Sequence, residues 1–264
     1  MNRKQDGFTI PELLIMMIVT SILTVAVISF SMNYWSAAAK LQNSSESLVS
    51  RLNAGDALRD ALNVSSGLIS QNSIPDSHAG YTDPAAGPSY WLMLHAQPKT
   101  IPMPASGSIT PIFYFQSPSV DKSRNFILNG VQSYQDEFVL YLDGKTKTLK
   151  LRSLINPSAT NDRLKTSCPP AYISTTCPAD KIFAEDVASV DTKFFSRSGN
   201  TIDYTSVVQK DTNGNPVVPA VYIGPDYPSA EVIELTIHLY RKSTVGAGSY
   251  TSNIVIVRVA LRNG

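Results

Sequence analysis

The chain has 264 residues, enough for one large domain or two small ones. A formal net charge of +1 and 16% charged residues argue against a nucleic-acid binder that works by bulk electrostatics, and against a disordered polyelectrolyte. Hydrophobic content is an ordinary 43%, but the first thirty residues hold an outsized share of it.

Arg3 and Lys4 open the chain, Gly7-Phe8-Thr9-Ile10-Pro11-Glu12 follows, and an apolar run extends from Leu13 to Phe30. By the positive-inside rule the basic leader stays cytoplasmic and the rest is sent outward. With Phe8 to Ile10 included, the run is near the ~20 residues needed to span a bilayer. A carboxylate inside such a helix costs roughly 2.5–3.5 kcal/mol on insertion scales, so Glu12 reads as functional. Proline inside a helix clashes with the carbonyl four residues earlier, which for Pro11 is Gly7. A helix therefore starts near Pro11, and the chain before it stays extended. An ordinary signal peptide is an alternative, with Ala37-Ala38-Ala39 as its small-residue site, but signal peptides carry apolar cores of only about 7–15 residues. A plain anchor is another. Neither accounts for Gly-Phe-Thr just before the glutamate.

This stretch resembles the class III signal of type IV prepilins and pseudopilins. The resemblance implies cleavage after Gly7 by a prepilin peptidase, methylation of the new first residue Phe8, and a filament-assembly role for Glu12. Glu12 of an incoming subunit would pair with the Phe8 amine of a neighbour, where low dielectric strengthens the attraction and an unpaired charge is costly.

From Ser31 to Val64 the chain has no proline and a single glycine, Gly55. Leu41, Leu48, Leu52, Leu58 and Leu62, with Ala54, Ala57 and Ala61 near them, predict an amphipathic continuation of the same helix. A helix from Phe8 to Val64 would be about 85 Å long. The expected organisation is a leader at 1–7, a transmembrane or filament-core helix at 8–30, its amphipathic continuation at 31–64, a loop at 65–89 and a β-rich head outside the cytoplasm at 90–264.

In the head, strands are predicted at Tyr90–His95, Pro111–Gln116, Glu137–Leu142 and Thr148–Leu154, the last two forming a hairpin around Asp143-Gly144. Lys181–Asp186 precedes an alternating run at Val187–Phe195 that turns at Ser198-Gly199-Asn200, and Glu231–Arg241 and Asn253–Arg262 read as antiparallel neighbours. Cys168 and Cys177 read as a local disulfide in an exported domain and as free thiols in a cytosolic one.

Ile182–Asn200 is similar to the central strand unit of J-type minor pseudopilins and PilW-like minor pilins, and Val257–Asn263 to their closing strand. The resemblance implies an α+β, pilin-like fold: a long N-terminal helix, transmembrane in its first half, packed on an antiparallel β head. It implies a subunit that initiates or caps a type IV pilus or a type II secretion pseudopilus. Its partners would be other pilin or pseudopilin subunits, the prepilin peptidase, a membrane assembly platform and, before assembly, the lipid bilayer of the cytoplasmic membrane. Alternatives are an adhesive or ligand-binding tip subunit and a membrane-anchored β domain of unrelated function.

Other candidate sites are weaker. Asp211-Thr212-Asn213-Gly214-Asn215 has the look of a short calcium loop but lacks a bidentate acid further along, so a plain turn is expected and no metal. His78, His95 and His238 are scattered, and no catalytic motif or cofactor fingerprint is present, so the chain reads as a non-enzyme. Asp136-Glu137 and Glu185-Asp186 are expected at solvated faces or turn ends. Tyr81, Tyr90, Trp91, Tyr114, Tyr222 and Tyr227 fall near loops, where packing of the sheet on the helix competes with ligand capture.

Overall fold

The structure is a computed structural model that describes residues 9–78, 90–91, 100–160, 163–169, 173, 177–202, 230–242 and 250–261. It is an α+β chain with one long N-terminal helix, α1 (Ile10–Asn63), and antiparallel sheets. It divides into two compact units, one holding α1 as far as Val49 and the other running from Ser50.

In the first unit, α1 begins where Leu13 donates its amide to the Thr9 carbonyl at 3.2 Å. Pro11 occupies the first turn, where its missing amide has no helical partner to lose. Ile10–Ala38 is long and apolar enough to cross a membrane, and none of it is buried against protein. Three of its hydroxyls are satisfied within the helix: Thr20, Ser21 and Thr24 donate to the carbonyls of Met16, Met17 and Thr20, each at 2.7 Å. Such a segment leaves few polar groups for hydrocarbon to desolvate.

In the second unit, the last turns of α1 bury Leu58 and Leu62 completely, with Ala57 and Ala61 partly covered. This is the predicted apolar stripe; Leu41, Leu48, Leu52 and Ala54 lie outside the described side chains. A Cβ on Gly55 would meet the methyls of Val255 and Val257 at 3.6 and 3.7 Å. The helix thus approaches the sheet by a face that starts with a glycine and widens to leucine.

The chain leaves α1 straight into a strand. Ser66 donates to the Gln116 carbonyl at 2.8 Å, and β1 (Gly67–Ile69) pairs with β3 (Ile109–Pro118). The expectation of a loop over 65–89 is corrected over these three residues. Three residues carry no readable alternation, and β1 exists because the edge of β3 is available to it. Tyr90 and Trp91 are not in a strand, and the rest of Tyr90–His95 lies outside the described residues. The short β2 (Thr100–Pro102) was not predicted.

The first sheet has the order β1-β3-β6-β7-β8, with β6 at Gln135–Asp143, β7 at Thr148–Leu154 and β8 at Lys181–Ala184. The second has the order β11-β10-β9-β2, with β9 at Val187–Phe195, β10 at Val232–Lys242 and β11 at Tyr250–Ala260. A small hairpin, β4 (Leu128–Asn129) with β5 (Gln132–Ser133), lies between β3 and β6 in the chain. β6 and β7 form the predicted hairpin, with Asp143 opposite Thr148. Gly144 is required there for space: a Cβ would sit 2.2 Å from the Ala105 carbonyl oxygen.

Glu185-Asp186 forms the corner between the sheets. Asp186 has φ 53°, in the left-handed region that aspartate tolerates better than most residues, and its carbonyl accepts the Tyr240 amide at 2.8 Å. One core draws on α1 (Leu58, Leu62), the first sheet (Phe113, Phe115, Leu140) and the second (Phe194, Leu235, Val257). Each fully buried Leu or Phe side chain here contributes about 1.5–3 kcal/mol.

Candidate functional site

The sequence directs attention to the start of α1. Gly7 and Phe8 lie outside the described residues. Glu12 is described, and its Oε2 accepts two hydrogen bonds from Thr9, from the backbone amide at 3.0 Å and from the hydroxyl at 2.9 Å. Thr9 is the residue before the first helical position and Glu12 the third position within the helix. The glutamate therefore reaches back to the cap residue's amide, as in a capping box. The signal for this local role is the spacing in Thr9-Ile10-Pro11-Glu12, a threonine followed three residues later by a glutamate. Oε2 is engaged, and Oε1 makes no protein hydrogen bond among the described residues.

In the head, the densest polar constellation is one that sequence reasoning missed. Arg152, on β7, is 1% exposed. Its Nε and Nη2 donate to the two carboxylate oxygens of Asp180 at 2.8 and 2.7 Å, a bidentate pair. Its Nη1 donates to Asp76 Oδ2 at 2.8 Å and to the His78 carbonyl at 3.1 Å. The guanidinium also lies over the rings of Trp91 and Tyr141, at 5.5 and 5.8 Å from their centroids.

Each carboxylate has further donors. Asp180 accepts the Tyr141 hydroxyl at 2.6 Å and the Ser167 hydroxyl at 2.8 Å. Asp76 accepts Trp91 Nε1 at 2.8 Å and the His78 amide at 3.0 Å. Burial, and then the neighbouring Asp180 charge, raise the Tyr141 hydroxyl above its ordinary value, so it stays a donor. Burial alone would lower Arg152, but the hydrogen bonds and charge of Asp180, with the charge of Asp76, outweigh it and hold the guanidinium higher. Every ionised group of the cluster is paired and buried. The cluster is a clamp that joins β7, the 71–78 segment, Trp91 and the 167–180 segment, and it leaves no reactive group for a substrate.

Cys168 and Cys177 are joined by a disulfide with Cα atoms 5.7 Å apart. Cys168 also donates its amide to the Pro178 carbonyl at 2.9 Å and bridges to Ala179. The crosslink therefore lies between the two residues that this segment delivers to the clamp, Ser167 on one side and Asp180 on the other.

The remaining candidates separate. Asp136-Glu137 is corrected: the two residues are 2% and 1% exposed on β6, not at a solvated face. Asp136 accepts the Ser119 hydroxyl at 2.6 Å and the Asn156 amide at 2.9 Å. Glu137 accepts the Ser73 hydroxyl and the amides of Ser73 and Ile74 at 2.6–2.9 Å. Both carboxylates serve as anchors for neighbouring loops, which is why they can be buried. Trp91 and Tyr114 are fully buried and Tyr90 half-buried, whereas Tyr81, Tyr222 and Tyr227 lie outside the described residues. His238 Nε2 is 3.0 Å from Asp191 Oδ2 across β9 and β10, His78 is tied into the 76–78 turn, and His95 is outside the described residues. Asp211–Asn215 is likewise outside them. Among the described residues no group of three or more His, Cys, Asp or Glu is placed to hold a metal ion. Comparison with protein-family models, with characterised proteins and with solved structures finds no match to this chain.

Proposed function

We propose that this chain is a minor pilin or pseudopilin subunit, most like the J-type, that helps to initiate or cap a type IV pilus or type II secretion pseudopilus. The observation that carries the reading is the start of α1. An apolar helix with no protein cover from Ile10 to Ala38 begins two residues after Gly7-Phe8 and carries a single charged residue, Glu12, in its first turn. A side chain array of that kind needs either lipid or the same helix from neighbouring subunits around it.

In this scheme the chain waits in the cytoplasmic membrane with its head outside. A prepilin peptidase cuts after Gly7 and methylates the amine of Phe8, and the subunit then moves into the filament by its helix. The peptidase does the chemistry, and the chain is its substrate and a structural part. The head described above, closed by the Arg152 clamp, offers the filament a rigid body instead of a reaction centre. The test is mass spectrometry of the mature N-terminus from membrane fractions, with and without an active prepilin peptidase. The expected product begins at N-methyl-Phe8 and depends on the enzyme. A chain beginning at Lys40, or an uncut Met1, would overturn the proposal.

A further inference from the structure

We propose that Tyr34 and Trp35 anchor α1 in the outer glycerol and headgroup zone of a phospholipid bilayer, and so fix the depth at which Glu12 meets the opposite interface. The inference rests on the reading of α1 as a bilayer span and adds its register. From Leu13 to Met32 there are twenty residues without a charge, about 30 Å of helix, which equals the hydrocarbon thickness. Asn33, Tyr34 and Trp35 follow at one end, and Glu12 stands at the other.

Tyr34 and Trp35 are 63% and 72% exposed, and their rings meet edge to face with centroids 6.4 Å apart. No tyrosine or tryptophan occurs between Ile10 and Asn33, where the large exposed hydrophobic side chains are aliphatic, thioether or, at Phe30, a purely apolar ring. Beyond Trp35 come Ser36, three alanines and Lys40, so the run of large exposed apolar groups ends with this pair. Among the described residues neither the Tyr34 hydroxyl nor the Trp35 indole N–H has a protein hydrogen-bond partner. An aromatic body with an unpartnered polar tip matches the boundary between acyl chains and headgroups, where Trp and Tyr concentrate. Glu12 and Trp35 are separated by about 35 Å along the axis, slightly more than the hydrocarbon core. The carboxylate then lies at headgroup level on the cytoplasmic side, where it stays hydrated and within reach of another subunit's amine.

The full-length chain, reconstituted in phosphatidylcholine–phosphatidylglycerol vesicles, tests the register by fluorescence quenching with lipids brominated at shallow or deep acyl positions. The protein has two tryptophans, and Trp91 is buried in the head, so subtracting the signal of Trp35→Phe from that of the unmodified chain isolates Trp35. Shallow bromines are expected to quench Trp35 about twofold more than bromines near the chain ends, as an interfacial ring requires. Stronger quenching by the deep label would overturn the register, as would a vesicle-bound chain that no bromine quenches, which would place Trp35 against protein or water. Failure of the chain to float with the vesicles would overturn the span itself, a result distinct from either.

Discussion

Arg152→Met keeps an unbranched apolar stem of shorter reach and removes the charge. Four hydrogen bonds disappear, three of them to carboxylates, and Asp76 and Asp180 remain with side chains 0% and 3% exposed. Breaking a buried ion pair by deleting one partner costs about 3–5 kcal/mol, because the other charge stays desolvated. The donors that survive, Trp91 Nε1, the His78 amide and the hydroxyls of Tyr141 and Ser167, place this case near the lower bound. A loss of about 3 kcal/mol lowers the Tm of a head of this size by roughly 6–12 °C. Thermal and urea unfolding of the full chain in detergent, followed by circular dichroism and by Trp91 emission, measures it. The decisive comparison is Arg152→Met combined with Asp76→Asn and Asp180→Asn. If stranded charge is the cause, the triple variant recovers more than half of the loss. A single variant that costs less than about 1 kcal/mol, or a triple variant no better than the single one, would refute the clamp as described.

Asp136 gives a pH signature. Burial raises its carboxyl above the ordinary value despite the bonds from the Asn156 amide and Ser119 hydroxyl and the Arg163 charge. The folded chain therefore keeps this proton after the unfolded chain has released it. The stability so gained is complete below the unfolded value and is lost as pH rises through the folded one. Asp136→Asn retains an Oδ1 acceptor for both bonds and should lose less stability than the unmodified chain as pH rises above the ordinary aspartate value of about 4; parallel Tm profiles would count against the assignment. Replacing Cys168 and Cys177 together by serine opens a loop whose cysteines are nine residues apart, with an expected loss of about 2–3 kcal/mol. That loss should shrink in an Arg152→Met background, because the crosslink and the clamp hold the same Ser167–Asp180 segment; equal losses in both backgrounds would show that the two act independently.

What the sequence reveals here is what neighbouring residues decide. β7 and β9 are found at their predicted bounds, since alternation and a short loop at Asp143-Gly144 are local signals. β3, β6 and β10 are extended or displaced at their ends by one or two residues, where pairing with a partner outweighs the pattern. β1 and β2, three residues each, exist only through pairing with β3 and β9, and nothing within them announces a strand. The clamp was invisible for a related reason. Lys150 and Arg152 alternate with leucines on β7, which reads as a strand with one charged, solvated face. That face is covered by groups 28 and 76 residues away in the chain, and only the folded topology brings them there. Asp136-Glu137 follows the same logic, with serine hydroxyls and loop amides as the distant donors. Gly144 was legible as a turn residue, but the contact that requires it, the Ala105 carbonyl, was not.

Glu12 now carries two physical roles that must be told apart. As the third helical residue it closes the first turn through Thr9, a role that a neutral side-chain acceptor at the same position also fills. As a carboxylate it offers charge to an amine on a neighbouring subunit, an attraction that strengthens as the surrounding dielectric falls. Glutamine preserves the first role and abolishes the second, whereas alanine abolishes both. Incorporation into filaments, scored for Glu12→Gln and Glu12→Ala beside the unmodified chain at equal membrane levels, separates them. Charge pairing requires that glutamine be as defective as alanine. Normal incorporation of Glu12→Gln, with only Glu12→Ala impaired, would assign the residue to the helix start and remove electrostatics from the assembly step. If both variants enter filaments as well as the unmodified chain, neither role governs assembly, and the apolar surface from Leu13 to Met32 must supply the driving force by packing alone.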